Sequence, residues 1–159
     1  MDNLFSMAES VGLKLTDLGH TIGVTESSAG GFISAALLSV PGASKYFVGG
    51  SVIYTRLSQN QFLGIGDDVM TGIRASTKEY ALLNARKVRK LLGTTWGLSE
   101  TGASGPSGNR YGDQAGHSWI AVSGPTEISI NIATNNSDRK ENMRVFAESA
   151  IELLEQSLS

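Results

Sequence analysis

A chain of 159 residues with 40% apolar and 18% charged side chains has the size and balance of one globular domain with a single core. No run of about eighteen apolar residues is present to span a bilayer, zero cysteines exclude a disulfide framework and thiolate chemistry, and a formal net charge of −2 provides no general field for nucleic acid. The opening MDNLFSMAES carries an early acid and lacks the basic flank and apolar stretch of a signal peptide, so a cytoplasmic protein is expected.

Leu4, Met7, Ala8, Val11 and Leu15 recur at three- and four-residue spacing ahead of Gly19, which predicts an amphipathic helix over 3–18. A β-rich segment over 20–25 follows, then a helix over 29–40 ended by Pro41-Gly42. Next comes a buried strand over 46–54, YFVGGSVIY, whose paired glycines point to a bulge or a close backbone approach. Residues 55–63 read as a short helix. Ser76 with Glu79 makes a capping box ahead of a helix to about Leu92. A strand over 95–100 gives way to TGASGPSGNRYGDQAG, a loop of sixteen residues with five glycines, long enough to suggest function or disorder. Residues 118–123 and 128–134 alternate as a strand pair joined through Gly124-Pro125, and Ser137 or Asp138 caps a last helix to about Leu158. The order implies a three-layer α/β/α sandwich around a mixed, mainly parallel sheet, one domain over 1–159.

Two glycine-bearing segments follow predicted strands. In VTESSAGG, residues 24–31, Glu26 and the hydroxyls of Ser27 and Ser28 sit where ligands of open α/β sheets bind, and Gly30 and Gly31 would admit a close ligand. The stretch lacks the GxSxG and GxxxxGK[ST] patterns, so it reads equally as an anion cradle or as a helix cap. In ETGASGPSGNRYGD, Thr101 and Ser104 offer hydroxyls, while Gly102, Gly105 and Gly108 expose amides suited to phosphate or carboxylate; a mobile surface loop is the competing reading. Tyr54-Thr55-Arg56 adds a phenol and a cation at a third strand end. His20 and His117 lie far apart without clustered carboxylates, so no metal is expected. The basic run Arg86 to Lys90 reads as a solvated helix face.

Taken together, these motifs resemble the C-terminal domain of the competence/damage-inducible protein CinA, which also occurs as a stand-alone nicotinamide mononucleotide deamidase. Thr25-Glu26-Ser27-Ser28-Ala29-Gly30-Gly31 is similar to the family's Glu-Ser-Cys-Thr-Gly-Gly motif, and Val40-Pro41-Gly42-Ala43-Ser44 to its Val-Pro-Gly-Ser-Ser stretch. Gly49-Gly50-Ser51-Val52-Ile53-Tyr54 is similar to its Gly-Gly-hydrophobic-Tyr strand, and Thr101-Gly102-Ala103-Ser104-Gly105-Pro106 to its Thr-Gly-Ile-Ala-Gly-Pro loop. The resemblance covers nearly the whole chain. It implies Ser27 as nucleophile on the nicotinamide carboxamide, Tyr54 and Thr101 beside it, no cofactor, a small nucleotide as ligand and a homo-oligomer.

The same resemblance exposes a departure. The family's lysine base corresponds to Gln59, which cannot take a proton from Ser27, and Arg56 stays protonated. Lys140 and Arg144 match two family cations that would meet a phosphate, and His117 stands near the glycine loop as a replacement base. Two readings follow: a nicotinamide-nucleotide amidohydrolase with an unrecognised base, or a catalytically silent homologue that binds a nucleotide or a protein partner.

Overall fold

In the computed structural model, which describes residues 1–159, the apolar residues Leu4, Ala8, Val11 and Leu15 form the buried stripe of α1 (Asp2–Leu18). Gly19 stops that helix with a left-handed φ of 65°. The elements that follow are β1 (Ile22–Glu26), α2 (Phe32–Leu38), a 3₁₀ turn (Ala43–Lys45), β2 (Phe47–Val52), α3 (Arg56–Leu63) and α4 (Lys78–Leu92). The chain ends with β3 (Trp96–Ala103), β4 (His117–Ser123), β5 (Glu127–Ala133) and α5 (Arg139–Ser157).

The sheet runs β2-β1-β3-β4-β5. β1 pairs parallel with β2 and with β3, and the two later pairings are antiparallel, so β4 alone runs against the other strands. One face carries α1, α2 and α5 over the main core, where Trp96, Tyr46, Phe146 and Ile151 are buried. The other carries α4, with a smaller cluster of Ile53, Leu63, Ile65, Met70, Tyr80 and Val88 between α3, α4 and the intervening loop. The α/β/α sandwich with a mixed sheet is the expected one, and β1, buried at every position, is its central parallel strand. No helix is long and apolar enough to cross a membrane.

The differences from expectation are local. α2 begins at Phe32 because Gly30 and Gly31, with φ of 67° and 104°, form a turn outside the helix. α4 is capped by Thr77, not Ser76; its Oγ1 accepts from Tyr80 N at 3.3 Å, while Ser76 sits at φ 60° and its amide donates to Thr101 Oγ1 at 3.1 Å. The capping box lies instead at α3, between Thr55 and Ser58. β3 extends through Thr101, Gly102 and Ala103, which pair with Trp119, Ser118 and His117. The carboxyl ends of β1, β2 and β3 therefore open on one edge, together with the start of β4.

Candidate functional site

The β1–α2 junction is organised by two buried carboxylates. Glu26 is fully buried; Oε1 accepts from Gly31 N at 2.8 Å and Ile33 N at 3.1 Å, and Oε2 from Ser34 N at 2.9 Å. The first amides of α2 thus point at the chain's own anion, not at a ligand. Glu100 on β3, also buried, does the same one turn earlier: Oε2 accepts from Ser27 N at 3.0 Å and Ala29 N at 2.8 Å. Its Oε1 accepts from Ser118 Oγ at 2.9 Å and, in a short bond, from Ser28 Oγ. Burial pushes the Glu100 carboxyl above the ordinary carboxylate range, with the donors from Ser28, Ala29, Ser27 and Ser118 pulling the other way.

Above this junction lies a cleft of two adjoining chambers. The larger, about 550 Å³, brings together Ser27, Tyr54, Arg56, Tyr80, Thr101, Arg110 and Tyr111. The smaller, about 230 Å³, is lined by Ser28, the Gly102–Gly105 turn, Ser107 and Arg139. Tyr54, 63% exposed, stands on the rim of both. Ser104 also lines the smaller chamber, with its Oγ buried and without a hydrogen-bond partner. No carboxylate lines either chamber, whereas Arg56, Arg110 and Arg139 do.

The structure brings Ser27, Tyr54, Thr101, Gly102, Ser104 and Gly105 to the cleft and moves the remaining candidates elsewhere. Glu26 caps α2, and Gly30 and Gly31 line neither chamber; their φ of 67° and 104°, and not a ligand's approach, account for glycine there. Arg144 is held between Glu141 and, at 2.5 Å, Glu148, which together raise its pKa; it faces along α5. Lys140, one turn before Arg144 on the same face, also lines neither chamber. Arg139 reaches the cleft in their place, donating to Gly105 O at 2.5 Å and to Tyr54 Oη at 3.3 Å.

Gln59 is fully buried behind the cleft wall. Its Nε2 donates to Asn84 Oδ1 at 3.0 Å, and its Oε1 accepts from Arg56, which also meets Asp67 at 2.6 Å. It fixes a cation that lines the larger chamber. His117 is not a replacement base: Nε2 lies 3.0 Å from the Ser76 carbonyl, which can only accept, so that nitrogen carries the proton. Nδ1 lies 3.4 Å from Asn131 Nδ2, and the ring lines neither chamber. The hydroxyl of Ser27 has no hydrogen-bond partner; its amide donates to Glu100 and its carbonyl accepts from Gly30 N at 3.1 Å.

The glycine loop is tied down. Asn109 Oδ1 accepts from Tyr111 N at 3.0 Å and Asp113 N at 3.1 Å, and Arg74 grips Asp113 at 2.8 Å while stacking 4.7 Å from the Tyr111 ring. Arg110 lies 5.0 Å from the same ring without a carboxylate partner. Arg74, then Asn109, pulls the Asp113 carboxyl below its ordinary range against a contrary effect of burial. The folded pKa is therefore below the unfolded one, and this contribution is present above the ordinary carboxylate pKa and disappears as pH falls through the depressed value. Hydrogen-exchange protection over 109–113 should fall through that acidic window in the parent, and Asp113→Asn should be low and flat across it. An unchanged pH profile in the variant would show that the pair does not hold the loop.

Glu100, Arg139, Arg110 and Tyr111 were not singled out by sequence reasoning. A signal existed for Glu100, a carboxylate within the strand WGLSETGA that is otherwise uncharged; for the others the pairing of loop and helix start had to be seen.

A family model described as the CinA C-terminal domain matches residues 4–158. A CinA-like protein of Myxococcus xanthus is 38% identical over 144 residues, covering 88% of this chain and 34% of the relative. One from Gloeobacter violaceus is 33% identical over 156 residues, covering 96% and 36%. The chain thus spans about a third of the length of these curated relatives. Among solved structures, a competence/damage-inducible protein from Agrobacterium tumefaciens superposes with a TM-score of 0.89 at 24% identity, over 98% of this chain and 95% of that one. A CinA-superfamily protein from Klebsiella pneumoniae superposes with 0.91 at 18%, over 98% and 97%. These two support the fold.

Proposed function

We propose that this chain, which belongs to the CinA C-terminal domain family, binds a phosphorylated nucleoside of the nicotinamide mononucleotide type, and that the family's serine–lysine deamidation does not run on Ser27. The observation that carries the reading is the lining of the cleft: three arginines and no carboxylate, in a chain of net charge −2. The tyrosine-bearing larger chamber suits a ring, and the glycine- and serine-lined smaller one, with Arg139, suits a phosphate. The homo-oligomer implied by the family resemblance belongs to the same proposal; exposed Val48 and Val52 on edge strand β2 and Phe62 on α3 support it.

Calorimetric titration with nicotinamide mononucleotide should be saturable, and the riboside lacking the phosphate should bind at least tenfold more weakly. Arg139→Ala should weaken the nucleotide by a similar factor, about 1.4 kcal/mol, while Arg144→Ala, whose guanidinium is engaged by its own helix, should bind like the parent. Equal affinity for nucleotide and riboside, or flat titrations with both, would remove the reading. Carboxamide hydrolysis is the second reading, favoured by the unbonded Ser27 hydroxyl in the larger chamber beside Thr101, though no base contacts it.

A further inference from the structure

We propose that Ser28 and Glu100 form a nucleophile–base pair that acts on a small carboxamide or ester entering the smaller chamber. The pair's chemistry does not rest on the nucleotide reading, since an acyl group there takes the place that reading gives to the phosphate.

Glu100 is a fully buried carboxylate with no cation beside it, and its partners are two amides and two hydroxyls. Such a group is costly to retain for packing alone, because amide and hydroxyl donors offset only part of the desolvation of a charge. Its orientation is fixed: Ser27 N and Ala29 N hold Oε2, which directs Oε1 at Ser28 Oγ. Ser28 is 4% exposed and lines the chamber, so its proton already lies on the line to the carboxylate while its lone pairs remain unbonded. Ser27, by contrast, meets Glu100 only through its amide. Arg139 lines the same chamber and supplies donors for a developing oxyanion. Burial shifts the Glu100 carboxyl upward, which makes its ionised form a stronger proton acceptor.

The step balances within the pair and solvent. Ser28 Oγ bonds to the carbonyl carbon as its proton passes to Glu100 and the carbonyl electron pair moves to oxygen. The oxyanion then collapses, the C–N or C–O bond breaks, and Glu100 returns the proton to the leaving group, leaving an acyl ester on Ser28. Water attacks that ester, gives one proton to Glu100, and collapse releases the carboxylic acid with Ser28 reprotonated from Glu100.

A small fluorophosphonate tests the pair directly, since it reacts with an activated hydroxyl by losing fluoride and leaves a mass tag. Tryptic mapping should place the tag on Ser28, at a rate that rises with pH and levels off above the Glu100 pKa. Glu100→Gln should label about 100-fold more slowly or less. That variant keeps its shape, because the Ser28 and Ser118 hydroxyls can rotate to accept from the new amide, and circular dichroism with a thermal melt verifies it. A tag on Ser27, no tag, a pH-independent rate, or undiminished labelling of a folded Glu100→Gln protein would each overturn the proposal. Calorimetry on the same protein separates the two claims: a Ser28 tag without nucleotide binding sustains the pair and sinks the nucleotide site, and binding without a tag does the reverse.

Discussion

Glu26→Ala should lower the unfolding free energy, measured by denaturant titration, by on the order of 3–5 kcal/mol. The substitution strips the acceptor from three amides, Gly31 N, Ile33 N and Ser34 N, of which Ile33 N is buried and the other two are part-buried. An unsatisfied buried donor costs about 1–3 kcal/mol, and the lost anion at the start of α2 adds to it. Neither chamber contains Glu26, so the effect on ligand affinity in protein that remains folded should be small. Glu26→Gln should lie between, because one amide oxygen survives and the new NH₂ opposes a backbone donor. A loss under about 1 kcal/mol for Glu26→Ala would mean that α2 is held by its packing on α1 and α5 and not by this cap.

That role was not legible in the sequence, and the reason is general to such junctions. A carboxylate followed by small residues and two glycines can face a ligand or fold back on its own helix, and composition is identical in the two cases. What decides is the turn at Gly30 and Gly31, whose positive φ values swing the α2 amides over Glu26. The regular elements were readable because their signals are local: the stripe Leu4 to Leu15, the glycine stop at Gly19, the alternation from Ile128 onward. Residues at strand ends were readable as well, since any strand in an α/β sheet delivers its carboxyl terminus to the same edge, and Ser27, Tyr54 and Thr101 meet there. Angular position on a helix was not. Lys140 and Arg144 share a face one turn apart, but the face of α5 that meets the glycine loop carries Arg139 and Asn142, whose Nδ2 donates to Ser104 O at 2.8 Å. Glu100 escaped for a related reason, because its meaning lies in four donors contributed by two other segments.

Gln59→Lys, which returns the family's lysine to its place, is expected to destabilise the protein by about 2–4 kcal/mol and to yield no ammonia release that depends on Ser27. Gln59 is fully buried, with its amide shared between Asn84 Oδ1 and the guanidinium of Arg56. An ammonium there would face Arg56 with no acceptor between the two charges, and burial and the neighbouring cation would both press it toward the neutral amine. Arg56, having lost that acceptor, would keep only its surface contact with the exposed Asp67, which is too weak to hold it against the cleft. The substitution therefore exchanges a positioned anion-binding group for an amine one layer behind the wall that Ser27 lines. Denaturant titration measures the first effect, and a coupled ammonia assay on nicotinamide mononucleotide, run beside the Gln59→Lys/Ser27→Ala double variant, measures the second. Ammonia release above the parent level that vanishes in the double variant would show that the serine–lysine geometry is intact and that only the base is missing. Its absence, together with weaker nucleotide binding in Gln59→Lys, is the outcome expected of a wall built around Arg56.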